Sequence, residues 1–159
     1  MNITVIALGK LKESYLKDAI SEYAKRISAY GKLDIIELNP VRLSDNPSQT
    51  EIDNALSKEA EEIKKKIPNS SYVFSLCIEG KEKSSEAFAK AISDATLNGK
   101  SNIVFIIGSS FGLSTEIKAI SDFKLSFSPM TFPHQLMRVM LLEQIYRAFQ
   151  INNNGKYHK

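Results

Sequence analysis

Cysteine is almost missing from this chain. Cys77 is the single one among 159 residues, which excludes an internal disulfide and a thiolate metal cluster. Histidine is scarce too. His134 and His158 stand far apart, so no histidine-rich zinc set is present and no metal is expected. No apolar run approaches the ~20 residues that span a bilayer. The opening MNITVIALGK reads as a strand followed by a charge, without the basic-then-apolar order of a secretory leader. A cytoplasmic protein with no membrane partner is the expectation. Neither sign of charge dominates: 21 basic residues against 18 acidic ones leave a net charge of +3. That excess permits a nucleic-acid partner without requiring one. The bias is uneven, with residues 1–32 and the last helix and tail basic, so RNA is expected on the side formed by the two termini.

Several familiar motifs also fail. Gly99-Lys100-Ser101 resembles the end of a phosphate-binding loop, but Asp94 occupies the place of its first glycine, and the segment precedes a strand. Gly108 and Gly112 lack the spacing of a dinucleotide fingerprint. Ser109 and Ser110 lack the flanks of a nucleophile elbow. There is no internal repeat and no low-complexity segment.

What remains is an ordinary globular composition, 43% hydrophobic and 25% charged, at a length that suits a single domain over 1–159. Apolar patterning predicts strands at Asn2–Leu8, Lys32–Leu38, Ser71–Ile78, Asn102–Ile107 and Lys124–Phe127. Helices are expected at Lys12–Tyr30 (Tyr15, Ala19, Ile20, Tyr23 and Ile27 inward), Thr50–Ile67, Ser84 or Ser85 to Leu97, and Ser114–Ile120, followed by a long C-terminal helix. Gly108–Gly112 reads as a flexible turn, and Cys77 as a buried core thiol. This alternation predicts an α/β fold with a mostly parallel sheet covered by helices on both faces.

The chain is organised around Leu125–Phe149, LSFSPMTFPHQLMRVMLLEQIYRAF. A short strand runs into Ser128-Pro129-Met130-Thr131-Phe132-Pro133. Pro129 stiffens this loop, and Pro133 suits the first turn of the following helix. At about 100° per residue the helix is apolar nearly all round, with a narrow polar gap at Glu143, Arg147 and Gln150. Such a helix is covered on more than one side, and a second subunit is a reasonable supplier. Arg138 falls inside the apolar arc. It pairs with a carboxylate at a subunit contact, anchors substrate, or does both. His134 reads as structural.

Ligands of open α/β sheets sit beyond the carboxyl ends of the strands. If strands three, four and five are neighbours, their ends make a pocket with apolar walls and many backbone donors and acceptors. An adenine ring and ribose would suit it.

VFIIGSSFGL (Val104–Leu113), LSFSPMTFPHQLMRVMLLEQIYRAFQI (Leu125–Ile151), the terminal YHK and ALGKLKESYLKDAISEYAKRI (Ala7–Ile27) together resemble the RlmH family. These are ribosomal large-subunit pseudouridine methyltransferases of the SPOUT superfamily. The resemblance covers essentially the whole chain. It implies a SPOUT-type C-terminal trefoil knot, a homodimer, and S-adenosylmethionine as co-substrate. By position it implies that Leu76, Gly108, Phe127, Ser128, Pro129, Met130, Thr131 and Phe132 bind that co-substrate.

The reaction implied by the resemblance is methyl transfer to N3 of a pseudouridine in 23S rRNA of the assembled ribosome, with no DNA partner. The N3–H must lose its proton, so a base or a field stabilising the anion is needed. Catalytic candidates are Arg138, Tyr157 and His158. His158 has a suitable intrinsic pKa, Tyr157 can stack on a base, and Arg138 can stabilise an anion. Lys156 and Lys159 are candidates for phosphate contact. On residues alone the last positions read as a frayed end; the family's YHK favours the partner subunit's active site for Tyr157 or His158. Alternatives are a SPOUT enzyme acting on another rRNA or tRNA base, or a non-catalytic ribosome-binding module.

Overall fold

The computed structural model describes Met1 to Lys159. Its elements are β1 (Asn2–Leu8), α1 (Ser14–Ile27), β2 (Lys32–Leu38), α2 (Gln49–Lys66), β3 (Ser71–Lys81), α3 (Ser85–Leu97), β4 (Asn102–Ile107), α4 (Thr115–Ile120), β5 (Phe123–Leu125) and α5 (His134–Asn152). One five-stranded sheet has the order β2-β1-β4-β3-β5, and every neighbouring pair is parallel. A wholly parallel sheet needs cover on both faces.

Side chains alternate between the two faces of each strand. Val5, Phe74, Ile103 and Phe105 join Ile20 of α1, Phe88 of α3 and Leu141 and Ile145 of α5 in the larger core. Ile6, Val73, Val104 and Ile106 meet Ala60 and Ile63 of α2 and Ile117 of α4 in the smaller one. Phe74 is the hub of the larger core. Its ring stacks on Phe105 with centroids 4.9 Å apart and meets Phe88 and Phe123 edge-on. Serines cap three helices: Ser48 accepts from the Glu51 N–H, Ser84 from Ala87 and Ser114 from Ile117.

Several boundaries and faces differ from the sequence reading. α1 is shorter at both ends and turns Leu16 inward, leaving Tyr15 67% exposed. β3 continues three residues past Ile78, because Lys81 pairs with Leu125 of β5 after a bulge. β5 stops at Leu125; Ser126 keeps one backbone hydrogen bond to Lys81 of β3, and the expected strand does not continue to Phe127. Pro133 is the N-cap of α5, one position before the first turn, with its carbonyl accepting from Met137 N. α5 packs between α1 and α3 of its own chain, which buries Leu141, Leu142, Ile145, Ala148 and Phe149. One chain therefore covers most of this helix, and Leu136 is its exposed large apolar side chain. No helix is long and apolar enough to cross a membrane.

Phe74→Ala should destabilise the fold by about 3–5 kcal/mol, the range for truncating a fully buried aromatic ring. Urea titration checks this; a loss under about 1 kcal/mol would mean that Phe74 is not the hub of the larger core.

Candidate active site at the carboxyl ends of three strands

β4, β3 and β5 are adjacent, so their carboxyl ends lie together as the strand-end pocket requires. The helix after β3 covers one face of the sheet and the helix after β4 covers the other. Opposite departures open a crevice between neighbouring strand ends. A cleft of about 750 Å³ sits there, walled by Leu76–Glu79 of β3, by residues at and beyond the ends of β4 and β5, and by the start of α5.

The turn after β4 is tight rather than flexible. The Gly112 N–H donates to the Ser109 carbonyl at 2.9 Å, and Gly112 adopts φ +83, which glycine allows at little cost. At the buried Gly108 a Cβ would fall on the Gly112 carbonyl, so the chain folds back on itself without room for a side chain. Across the cleft, the Ser126 N–H donates to the Lys81 carbonyl at 3.1 Å. A Cβ on Gly80 would lie 2.6 Å from the Lys124 carbonyl oxygen. The loop beyond is held by hydroxyls as well as prolines. Ser126 Oγ donates to the Ser128 carbonyl at 3.2 Å, and Met130 N–H donates to Ser128 Oγ at 3.0 Å.

Of the residues expected to bind cofactor, Leu76, Gly108, Phe127, Ser128, Met130, Thr131 and Phe132 line the cleft. Pro129 does not: it is exposed at the outside of the loop, where it shapes the backbone. Cys77 is half-buried in the cleft wall instead of the core. Burial, then the neighbouring Glu79 charge, pushes its thiol up. Glu79 is ion-paired with Lys118 in the same wall, and that hydrogen bond holds its carboxyl below the ordinary range.

His134 is the functional candidate that the sequence reading left as structural. It opens α5 and lines the cleft. Burial, then the Arg138 charge, pushes its pKa down, so the imidazole is neutral at pH 7 and able to accept a proton. The available signal was its place directly after the Pro-bracketed loop.

Arg138, one turn further, is 1% exposed. Its Nη1 lies 2.8 Å from Glu37 Oε2, and Nη2 donates to the Gly9 carbonyl at 3.2 Å. The Leu11 N–H also donates to Glu37. The paired carboxylate thus comes from the same chain, not from a subunit contact, and the ion pair ties the start of α5 to the ends of β1 and β2. Arg138 Nε is buried without a partner. Arg138 itself is not part of the cleft wall.

Tyr157 and His158 lie elsewhere. Tyr157 donates to Glu143 Oε2 at 2.8 Å, and His158 contacts Arg147 and Glu86 at 3.2 and 2.8 Å. Arg147 is ten residues along α5 from Met137 at the cleft, about 15 Å at 1.5 Å rise per residue. The tail is therefore docked on α3 and α5 rather than frayed, and it does not enter its own chain's cleft. No group of three or more His, Cys, Asp or Glu side chains converges as a metal site requires.

A family model described as "Predicted SPOUT methyltransferase" matches residues 1–158. The chain belongs to the SPOUT methyltransferase family. A Methanococcus maripaludis protein, provisionally named ribosomal RNA large subunit methyltransferase H, is 60% identical over the full length of both chains. The ribosomal RNA large subunit methyltransferase H of Clostridioides difficile is 52% identical, again over the full length of both. A solved probable methylase family protein from Haemophilus influenzae superposes with a TM-score of 0.52 over 99% of this chain and 70% of its own, at 16% identity. That likeness bears on the fold alone. This SPOUT chain is thus a methyltransferase with a parallel α/β fold.

The Arg138–Glu37 pair yields a pH prediction. Burial raises the Glu37 carboxyl, but the Arg138 hydrogen bond, the Leu11 N–H and the Arg138 charge outweigh it, and the net pKa is lowered. A depressed carboxyl contributes stability that is present above its unfolded pKa and lost as pH falls through the folded one. Because the Glu37 side chain left unpaired is 36% exposed, Arg138→Met should cost only about 1–2 kcal/mol at pH 7, and the cost should shrink below about pH 4. Urea midpoints at the two pH values check this; an equal cost at both would remove the charge from the account.

Proposed function

We propose that this methyltransferase transfers a methyl group from S-adenosylmethionine to N3 of a pseudouridine in 23S rRNA of the large ribosomal subunit. The observation that carries the reading is the cleft at the three strand ends, with its backbone crossings at Gly80 and Gly108. Full-length relatives named for the large-subunit rRNA supply the substrate class.

The cleft fits the co-substrate. Leu76, Ile107, Leu113 and Phe127 offer apolar surface to an adenine ring. The turn at Gly108 brings main-chain groups to the cleft with no side chain in between, as polar edges of a nucleoside require. When bound, S-adenosylmethionine supplies the electrophilic methyl group. The segment Phe127–Phe132 holds it, and the stiffened loop keeps that hold ready before binding. The narrow backbone passage at Gly80 suits a C-terminal segment threaded as the trefoil knot of the resemblance.

The N3 proton needs an acceptor. His134 presents a neutral imidazole in the wall, and Arg138 holds the helix that carries it. Tyr157 and His158 complete the cleft of a partner in a homodimer, since about 15 Å of helix separates them from their own. From there Tyr157 stacks on the target base and His158 faces its N3 edge.

One experiment tests the reading. Large ribosomal subunits lacking the modification are incubated with S-adenosylmethionine and either the full chain or a chain ending at Gly155, and the rRNA is read by mass spectrometry. The full chain should add one methyl to a pseudouridine. The shortened chain should retain calorimetric uptake of S-adenosylmethionine and lose at least a hundredfold in rate, roughly the share of a general acid–base group. Methyl on another base or on tRNA overturns the substrate, no uptake by the full chain overturns the enzyme, and full activity of the shortened chain removes the tail from the site.

A further inference from the structure

Beside the cleft lies a second cavity of about 220 Å³. Its walls are the loop from Pro40 to Ser44, the Ile52–Leu56 side of α2, and the turn Ser109–Phe111. Ser109, Ser110 and Phe111 line both hollows, so the two meet across a single turn of chain. At that shared rim Phe111 leaves an aromatic ring 48% exposed. Such exposure of a large apolar ring on the divide between two cavities serves no core.

The loop wall is fixed. Glu59 of α2 is 5% exposed. One of its carboxylate oxygens accepts the Val41 N–H at 2.9 Å and the other accepts from Ser109 Oγ at 3.0 Å. One buried carboxylate thus pins the loop and the turn to the same helix, and both its oxygens are committed. Arg42, next to Val41, is exposed. The other three arginines of the chain pair with Glu22, Glu37 and Glu143; Arg42 has no carboxylate within ion-pair distance and no hydrogen bond to protein. Arg42 does not itself line the hollow, but it stands between Val41 and Leu43, which do; an unpaired guanidinium on that wall loop is suited to a phosphate attached to a flat ring.

We infer that this second cavity is an RNA subsite that takes an unpaired nucleobase neighbouring the target nucleotide, stacked on Phe111, with its phosphate on Arg42. The inference rests on the RNA methyltransferase reading above and deepens it. Single-stranded RNA is read by splayed bases stacked on aromatic rings, with basic side chains following the phosphates. Continuity with the methyl-transfer cleft favours the RNA over an unrelated ligand, because Ser109, Ser110 and Phe111 border both hollows and put a nucleotide held here next to one held in the cleft.

Two variants spare the cleft: Arg42→Gln removes the phosphate contact, and Leu43→Glu puts a negative charge into the hollow. Steady-state methylation of unmodified large ribosomal subunits is measured across a salt series, with calorimetric affinity for S-adenosylmethionine alongside. Each variant should raise KM for the subunit roughly tenfold, about the loss of one contact of this kind, with co-substrate affinity within about twofold. Arg42→Gln should also reduce the salt slope by about one phosphate contact. Unchanged KM in both variants overturns the subsite and leaves the enzyme reading intact. Parallel loss of co-substrate affinity makes the cavity a support for the Gly108 turn and overturns it as well. If the wild-type chain methylates no ribosomal RNA, the parent reading falls and the subsite with it.

Discussion

Two stretches of backbone must pass each other at Gly80 with nothing between them. The main chain at Lys124 and Leu125 occupies the volume that any side chain at position 80 would need. This approach allows β3 to resume pairing after its bulge, with Lys81 opposite Leu125, and the Ser126 N–H to close on Lys81. The chain after β5 is thereby aimed over the end of β3 and must turn through Ser128 and Pro129 to start α5. The cleft is the space that this detour encloses. The fold-back at Gly108 repeats the device on the opposite wall. A site walled by fixed backbone binds without first ordering a loop, which avoids the entropy that such ordering costs.

Arg138 extends that constraint to the other end of the sheet. Its guanidinium spans Glu37 at the end of β2 and the Gly9 carbonyl after β1, so the first turn of α5 is anchored to strands that do not border the cleft. His134 sits on that anchored turn. The ring that faces the cleft is therefore held by an ion pair that does not. Arg138 thus braces the start of α5 through Glu37 and Gly9 without lining the cleft itself.

Much of this was legible in local pattern. The β-branched runs at Asn2–Leu8, Lys32–Leu38 and Asn102–Ile107 are strands with those bounds, because an apolar run ending at a glycine or a polar loop leaves little choice. The strand-end chemistry at Leu76, Gly108 and Phe127–Phe132 was readable, but only on condition that the strands were neighbours. Strand order depends on long-range pairing, which periodicity does not carry. For the same reason the length of β3 was missed: residues 79–81 are extended by their partner in β5, not by their own propensity. On α1 the expected inward face holds at Ile20 and Ile27 and fails at Tyr15, whose ring lies at the helix start and is 67% exposed, while Leu16 takes the buried place. The tail was harder still. Tyr157 and His158 take their places from Glu143, Arg147 and Glu86, and nothing in YHK itself names those partners. Glu59 had no local signal either, since on a charge-laced helix one carboxylate looks like the next.

The central claim is that the fixed backbone around Gly80 and Gly108 forms the seat of the methyl donor. The most direct test is a crystal structure of the protein soaked with S-adenosylmethionine. The account requires the donor in the cleft, against Gly108 and the Phe127–Phe132 segment, with those walls moved little from their present positions. An empty cleft with the donor bound elsewhere on the molecule would contradict it.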